Sequence, residues 1–386
     1  MRFSEVIGLE KTKEELIKGI KHNRTAHAQL FYGSKGSGQL ALAVAYARRL
    51  NCQCLEKKDS CNNCPSSLKF SKLIHPDLHI IFPIIRTSST DSKTSDDYMG
   101  EWREQFLKNP YFSLSNWLSH YKEKFLEKIA DKKKEAIIYS HQIKKLNRKL
   151  TLKVYEAKYR VVIIWMPEKM NIKAANKFLK LLEEPPNKTI LLLVSEDKGL
   201  IIDTILSRLQ QTRIPNYTVS DTIENSKIQK SERFLNFCRL SNGNMGKVLS
   251  YSDEALPSFF LEEFKVLNRL CFKNNFSEIS DWCDEISSKT RQQQRNFLSY
   301  CLTIFRECLV YNFSDKSINL LTNEEKKFLE NFAKFVHEKN SIPIASLFDG
   351  AIKKVKRNAN SKIIFFQLAL ELSDLLKLKR KFVNQG

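Results

Sequence analysis

Between residues 29 and 215, short apolar runs alternate with stretches whose apolar positions recur at helical spacing, the pattern of an α/β unit built on a parallel sheet. Strands are predicted at Gln29–Tyr32, His79–Ile84, Arg160–Trp165, Thr189–Val194 and Gln211–Ile214. The third is a continuous apolar, β-branched run, as expected where helices cover both faces of a sheet. Between the third and fourth strands, Ala174, Phe178, Leu181 and Leu182 mark one face of a helix. Pro167 suits its first turn, and Pro185-Pro186 stops it. Beyond Pro215 the strand pattern fades: Gly243-Asn244-Met245-Gly246 marks a turn between helical segments, and from about Leu256 to Val383 the pattern is amphipathic helix throughout. The expected organisation is an α/β domain over 1–214, a small helical domain over 215–257 and an all-helical domain over 258–386.

An insertion near 86–150 interrupts the α/β alternation. It opens with Arg86–Asp97, rich in Ser, Thr and Asp, which reads as a flexible loop. Trp102, Phe106, Tyr111, Phe112 and Trp117 follow, and then the basic stretch Lys122–Lys134. Aromatic rings interleaved with lysines suit stacking on single-stranded nucleic acid. Helical spacing of the rings is more often that of a local core, with Lys132-Lys133-Lys134 as a solvated face.

The chain's 386 residues suffice for two or three domains at roughly 100–200 residues each. A formal net charge of +21 calls for a polyanionic partner, nucleic acid first and an acidic protein second. The opening Met1-Arg2-Phe3-Ser4-Glu5 is charged where a secretory leader would be apolar, and no apolar stretch approaches the ~20 residues of a membrane span. The expected location is the cytoplasm. The cysteine count is 9, an odd number, and four of them crowd between Cys52 and Cys64. That usage argues against a disulfide framework and for a thiol or metal cluster in a reducing compartment. Cys238, Cys271, Cys283, Cys301 and Cys308 stand in apolar helical contexts and read as small core residues.

Two segments carry candidate chemistry. In Leu30-Phe31-Tyr32-Gly33-Ser34-Lys35-Gly36-Ser37-Gly38-Gln39-Leu40 a strand runs into a glycine loop in which Gly33, Gly36 and Gly38 have the shape of a phosphate-binding loop. Such a loop needs a Lys for the terminal phosphates and a hydroxyl for Mg²⁺, and those positions hold Gln39 and Leu40. An ATPase strand would also end in an acid pair that holds the metal and activates water, but Arg160–Trp165 ends in Trp165 and Met166. The loop therefore reads either as a degenerate nucleotide site or as an ordinary strand-to-helix turn. Lys35, the only lysine inside it, is badly placed to replace the missing one.

The second segment is Cys61-Asn62-Asn63-Cys64, a knuckle whose spacing lets two thiolates chelate one tetrahedral Zn²⁺, with Cys52 and Cys54 upstream as further ligands. A redox role would call for a thioredoxin-like βαβ setting, whereas this knuckle lies in a polar loop.

In order along the chain, His27-Ala28, the glycine loop, Cys52, Cys61, Cys64, His75-Pro76-Asp77, the run Ala175-Asn176-Lys177-Phe178-Leu179-Lys180-Leu181-Leu182-Glu183-Glu184-Pro185-Pro186, and Ser207-Arg208 resemble the delta-prime family of bacterial DNA polymerase III clamp-loader subunits, a branch of the AAA+ proteins. The resemblance implies an AAA+ P-loop-type domain, a lid and a helical collar that joins five subunits into an open ring. It implies a stator that does not hydrolyse ATP, supports loading of the sliding clamp onto primed DNA, and offers Arg208 in trans to a neighbour's ATP. Partners would be the motor and delta subunits, with clamp and DNA met inside the complex. The family's zinc pattern would place a fourth Cys at Ser67, so Cys54 substitutes if zinc is held, and Leu209 stands where the family's Ser-Arg-Cys motif has Cys. Arg208 follows Ile201, Ile202 and Ile205 near a helix end; on that alone it reads as a surface charge or half of a local salt bridge. The competing class is an autonomous nucleotide-dependent enzyme or zinc-containing DNA-binding protein, with Lys35 serving the loop.

Overall fold

Aliphatic residues bury both faces of the chain at Arg160–Trp165 and Thr189–Ser195, and these segments pair side by side within a five-stranded parallel sheet. The computed structural model describes every residue except 55–58, 87–91, 126–134, 227–231, 251–259, 274, 314–320, 322, 358 and 379–386. Its elements run α1 (Glu10–Lys21), β1 (Ala28–Tyr32), α2 (Gln39–Leu50), α3 (Pro65–Ser71), β2 (Leu78–Ile81), α4 (Met99–Lys108), α5 (Leu114–Phe125), α6 (Ser140–Leu150), β3 (Arg160–Trp165), α7 (Ile172–Glu183), β4 (Thr189–Ser195), α8 (Asp203–Leu206), β5 (Gln210–Arg213) and α9 (Val219–Glu224). Then follow α10 (Glu232–Leu240), α11 (Met245–Leu249), α12 (Phe260–Lys273), α13 (Phe276–Ser288), α14 (Arg291–Phe313), α15 (Asn323–Phe332), α16 (Glu338–Lys356) and α17 (Ser361–Lys377). Two compact units result, one of Met1–Lys227 with Ser241–Ser250, the other of Ile228–Leu240 with Tyr251–Gly386.

In the first unit the strand order is β2-β3-β4-β1-β5. The register sets Leu30 beside Leu193 and Ile163 beside Leu192. Because all strands are parallel, the glycine loop after β1, the Trp165-Met166 end of β3 and the Ser195 end of β4 emerge at one edge of the sheet. Gly33 N–H donates to the Ser195 carbonyl at 3.2 Å and Met166 N–H to that of Val194 at 2.8 Å, which ties the three ends together. Four strands fall within a residue of their expected places; β2, expected over His79–Ile84, ends at Ile81, and Ile84 forms only an isolated antiparallel bridge to Ile137. The helix expected to open at Pro167 does not: Pro167–Lys169 forms a separate 3₁₀ turn, and α7 starts at Ile172, where the Asn171 side chain caps Ala174 N–H at 2.8 Å.

The insertion's aromatics form the local core that their helical spacing favours, while residues 87–91 of the loop expected over Arg86–Asp97 lie outside the described residues. Thr94 and Asp97 cap a 3₁₀ turn over Ser95–Tyr98, and buried Ser95 both accepts from Phe82 N–H and donates to Phe82 C=O at 3.1 Å. Trp102 and Trp117 pack on Phe82, Phe106 and Phe112 on Trp102, and Tyr111 on Tyr217; all are buried, so their faces are closed to bases. Lys132-Lys133-Lys134 lie outside the described residues.

The second unit is helical, with a core that includes Phe264, Leu267, Ile279, Phe297, Leu298, Phe348 and Leu372. Cys271, Cys283, Cys301 and Cys308 pack in that core, and Cys238 is also buried. Burial pushes the thiols of Cys271 and Cys283 up to about 12, the behaviour of unreactive packing groups.

Candidate functional site

Gly36 (φ +73°) and Gly38 (φ +88°) adopt the left-handed backbone that glycine allows, so β1 turns into α2 as a phosphate-binding loop would. Other parts of the chain press against it. A Cβ at Gly36 would stand 2.1 Å from Oδ1 of Asn244, and one at Gly38 would stand 2.4 Å from the Tyr217 hydroxyl and 3.0 Å from the Tyr111 ring. Met245 N–H donates to the Gly36 carbonyl at 3.2 Å, and the Tyr111 hydroxyl accepts from Ile7 N–H at 2.8 Å. Burial pushes the Tyr111 phenol up to about 12. Gln39 turns inward: its Nε2 donates to the carbonyls of Gly33 and Ser34, each at 3.2 Å, while its Oε1 accepts from the Ser37 hydroxyl at 2.9 Å. Gly36, Ser37, Gly38, Gln39 and Leu40 are all buried. Lys35 is exposed and its Nζ lies 4.0 Å from the Glu196 carboxylate.

At the end of β3, Trp165 stacks into the insertion's core, 4.8 Å from the Phe112 ring centroid and 5.9 Å from that of Trp102. Met166 takes a positive φ of 61° and is buried. One acid nearby escaped the reading of the sequence: Glu168, two residues beyond Met166 and after a proline that broke the strand pattern. Its Oε1 accepts from Glu196 N–H at 3.0 Å, and its Oε2 is buried without a hydrogen-bond partner among the described residues. Burial raises this carboxyl above the usual range.

The cysteine cluster is assembled. Sγ atoms of Cys52, Cys54, Cys61 and Cys64 all lie within 4.8 Å of one another, against about 3.8 Å for thiolates at the corners of a tetrahedral zinc site with 2.3 Å bonds. Cys61 N–H donates to Cys52 Sγ at 3.2 Å, Cys64 N–H to Cys61 Sγ at 3.3 Å, and Ser67 N–H to Cys64 Sγ at 3.4 Å. Burial alone would raise the Cys61 thiol, but the N–H groups of Cys64 and Asn63 overcome it and bring the thiol down to about 6. Such bonds favour the thiolate a metal requires. Ser67 does not join the set: its hydroxyl donates to the Cys61 carbonyl and accepts from Arg48 Nε at 2.8 Å. The Arg48 Nη2 also reaches the Cys61 carbonyl at 2.9 Å, so the knuckle is fastened to α2.

The His75-Pro76-Asp77 stretch anchors neighbouring backbone. The Asp77 carboxylate accepts from the N–H groups of Tyr155, Glu156 and Ala157 at 2.8–3.0 Å, and His75 packs on Phe70 of α3. Arg208 follows α8 between buried Ile205 and Leu209, which belong to the same core as Phe178 and Leu181 of α7. Its guanidinium is about two-fifths exposed (39%); Nη2 donates to Glu183 Oε1 at 2.7 Å and Nη1 to the Thr204 carbonyl at 2.8 Å. Ile202, expected on the same apolar face, is exposed.

A family model described as DNA polymerase III, delta subunit, matches residues 8–218, more than half of the chain. The chain is similar to DNA polymerase III subunit delta' of Bacillus subtilis, 26% identical over 302 residues that cover 76% of this chain and 75% of that protein. It is also similar to the subunit delta' of Pseudomonas aeruginosa, 27% identical over 49% of this chain and 43% of that protein. A third relative is DNA polymerase III subunit tau of Bacillus subtilis, 22% identical over 72% of this chain and 42% of that protein. The chain thus spans less than half the length of the latter two relatives.

Proposed function

This chain belongs to the DNA polymerase III delta-subunit family, and we propose that it acts in the clamp loader as a delta-prime-type stator, hydrolysing no ATP itself and lending Arg208 to ATP held by a neighbouring motor subunit. The observation that carries this reading is the crowded loop: Asn244 and Tyr217 press against Gly36 and Gly38, and Gln39, at the position of the loop lysine, turns inward to the loop's own carbonyls. The Trp165-Met166 strand end, which has no group to bind Mg²⁺ or accept water's proton, supports it. Half-exposed Arg208 on a rigid core fits a finger that reaches outward, a task requiring no nucleotide in the donor.

Partners in this reading are motor and delta subunits, met through the helical unit as a collar, with residues 215–257 as lid. Primed DNA and the sliding clamp are engaged within the complex. Support for DNA comes from Lys144 and Arg148 on α6 and Lys173, Lys177 and Lys180 on α7, exposed on two helices that pack side by side. Among the described residues no helix is long and apolar enough to cross a membrane. The four cysteines suit one structural Zn²⁺, which would cross-link the knuckle to the end of α2; they form a closed thiolate set with no open position for catalysis.

The isolated chain should show no ATP turnover, and Gln39→Lys should create none. Turnover that survives repurification and disappears with Lys35→Ala would favour the autonomous-enzyme class instead. Arg208→Ala should leave ring assembly intact while lowering DNA-stimulated ATPase and clamp loading, since arginine fingers are worth roughly 10³–10⁵ in rate at a single site and less in a ring with several. An assembled Arg208→Ala complex working at the unmutated rate would remove the finger and leave a scaffold.

A further inference from the structure

We infer that Glu183 is the positioning residue for Arg208, an inference that rests on the in-trans role proposed above. Glu183 is the last residue of α7, and its carboxylate accepts from Nη2 of Arg208 at 2.7 Å. The Thr204 carbonyl accepts from Nη1 at 2.8 Å. A guanidinium has five N–H groups. Three bonds are made here, because Nη1 also donates to the Ser207 hydroxyl at 3.4 Å, which leaves Nε–H and one N–H on Nη2 for a ligand. The anchors stand on one body, because Phe178, Leu181 and Leu182 of α7 share a buried cluster with Ile205 and Leu209 on either side of Arg208.

Two effects of Glu183 oppose each other. Its negative charge weakens the attraction of Arg208 for phosphate, while its fixed hydrogen bond removes some of the rotamer freedom that Arg208 would otherwise lose on gripping one. Glu183 is about half exposed (49%), so water screens the charge effect, whereas the orientation imposed by two cis anchors is unaffected by screening. Orientation therefore dominates, and removal of Glu183 lowers the rate. In the neighbour's site, water attacks the γ-phosphorus, the bond to the β,γ-bridging oxygen breaks with its electrons leaving on ADP, and the water's proton passes to solvent. Arg208 neutralises charge on the γ-oxygens during that displacement, and Glu183 keeps its fork aimed at them.

The test uses the reconstituted clamp-loader complex carrying Glu183→Ala, Glu183→Gln, Arg208→Ala or Glu183→Ala with Arg208→Ala. Glu183→Ala should lower the DNA-stimulated kcat by about two- to fivefold, the ceiling for an exposed pair, with KM for ATP unchanged because the nucleotide is bound by the neighbour. Glu183→Gln retains a carbonyl oxygen that accepts from Nη2 and should keep most of the rate. In the Arg208→Ala background, Glu183→Ala should do nothing more. An unchanged kcat in Glu183→Ala, or an equal loss with and without Arg208, would overturn the inference while leaving the finger in place if Arg208→Ala alone is impaired. Full activity of Arg208→Ala would overturn the finger and this inference together.

Discussion

Gly36→Ala should detach residues 241–250 from the glycine loop. The new Cβ would stand 2.1 Å from Asn244 Oδ1, 2.7 Å from its Cγ and 3.0 Å from Gly246 N, so the end of the Asn244 side chain must swing away. A non-glycine residue at φ +73° costs roughly 1–2 kcal/mol by itself. Displacing Asn244 also removes the cap it gives α11, where its side chain accepts from Lys247 N–H at 3.0 Å, worth about 1 kcal/mol. The sum is ~2–3 kcal/mol against local opening. Hydrogen exchange over 241–250 reads that opening, and the loss should reduce protection by roughly 30- to 140-fold at about 1.4 kcal/mol per decade. Gly100→Ala is the control: it lies in α4, a Cβ there meets nothing within 4 Å, and protection over 241–250 should not change. Asn244→Ala in the Gly36→Ala background should cost less than the two single changes added, because the clash is shared. Unchanged protection in Gly36→Ala would refute the claim that Asn244 presses against Gly36.

Two further outcomes follow from burial and ligation. Elemental analysis should find about one zinc per chain, as four thiolates at a closed site imply; Cys61→Ser should lose the metal and loosen 52–64 while the sheet's circular dichroism is retained, and metal-free protein with four freely titrating thiols would refute this. Trp165→Ala should cost about 3–5 kcal/mol in unfolding experiments, the range for a fully buried large aromatic. Trp165→Asp restores an acid at the strand end but buries it among Phe112 and Trp102, so it should destabilise the chain without creating ATPase activity.

Strands β3 and β4 were legible because a strand buried on both faces carries an unbroken apolar centre, here Val161–Trp165 and Ile190–Val194, whereas β1 holds a buried Gln29 and was read from Leu30-Phe31-Tyr32 and the glycine loop after it. The cysteine set was legible from spacing, and the exclusion of Ser67 came from a contact with Arg48 that spacing does not encode. Pro167 misplaced the start of α7 since proline suits a 3₁₀ turn as well as an α-helix, and the decisive signal was the cap Asn171. The aromatic insertion illustrates the limit of composition: ring spacing allowed either a core or a stacking surface, and partners distant in sequence, Phe82 just after β2, Trp165 of β3 and Tyr217, turn the rings inward. Asn244 against Gly36 left no local trace at all, as the two are more than 200 positions apart and each reads as an ordinary turn residue.

The side chains around the glycine loop depend on one another, which bears on how the loop would respond to single changes. A lysine at position 39 would place an ammonium where Gln39 now donates to two carbonyls and accepts from Ser37; its amine could keep donating, but the Ser37 hydroxyl would lose its acceptor. Tyr217 and Asn244 press against Gly38 and Gly36, and withdrawal of Asn244 uncaps α11. An acid at the end of β3 would enter an aromatic core. Each change alone therefore loses packing or hydrogen bonds, so the crowded loop is stable against single changes. Arg208 is under no such constraint. It lies at the opposite end of the strands, ahead of β5, held by one half-exposed carboxylate, the Thr204 carbonyl and the Ser207 hydroxyl, contacts that an incoming anion can share or replace.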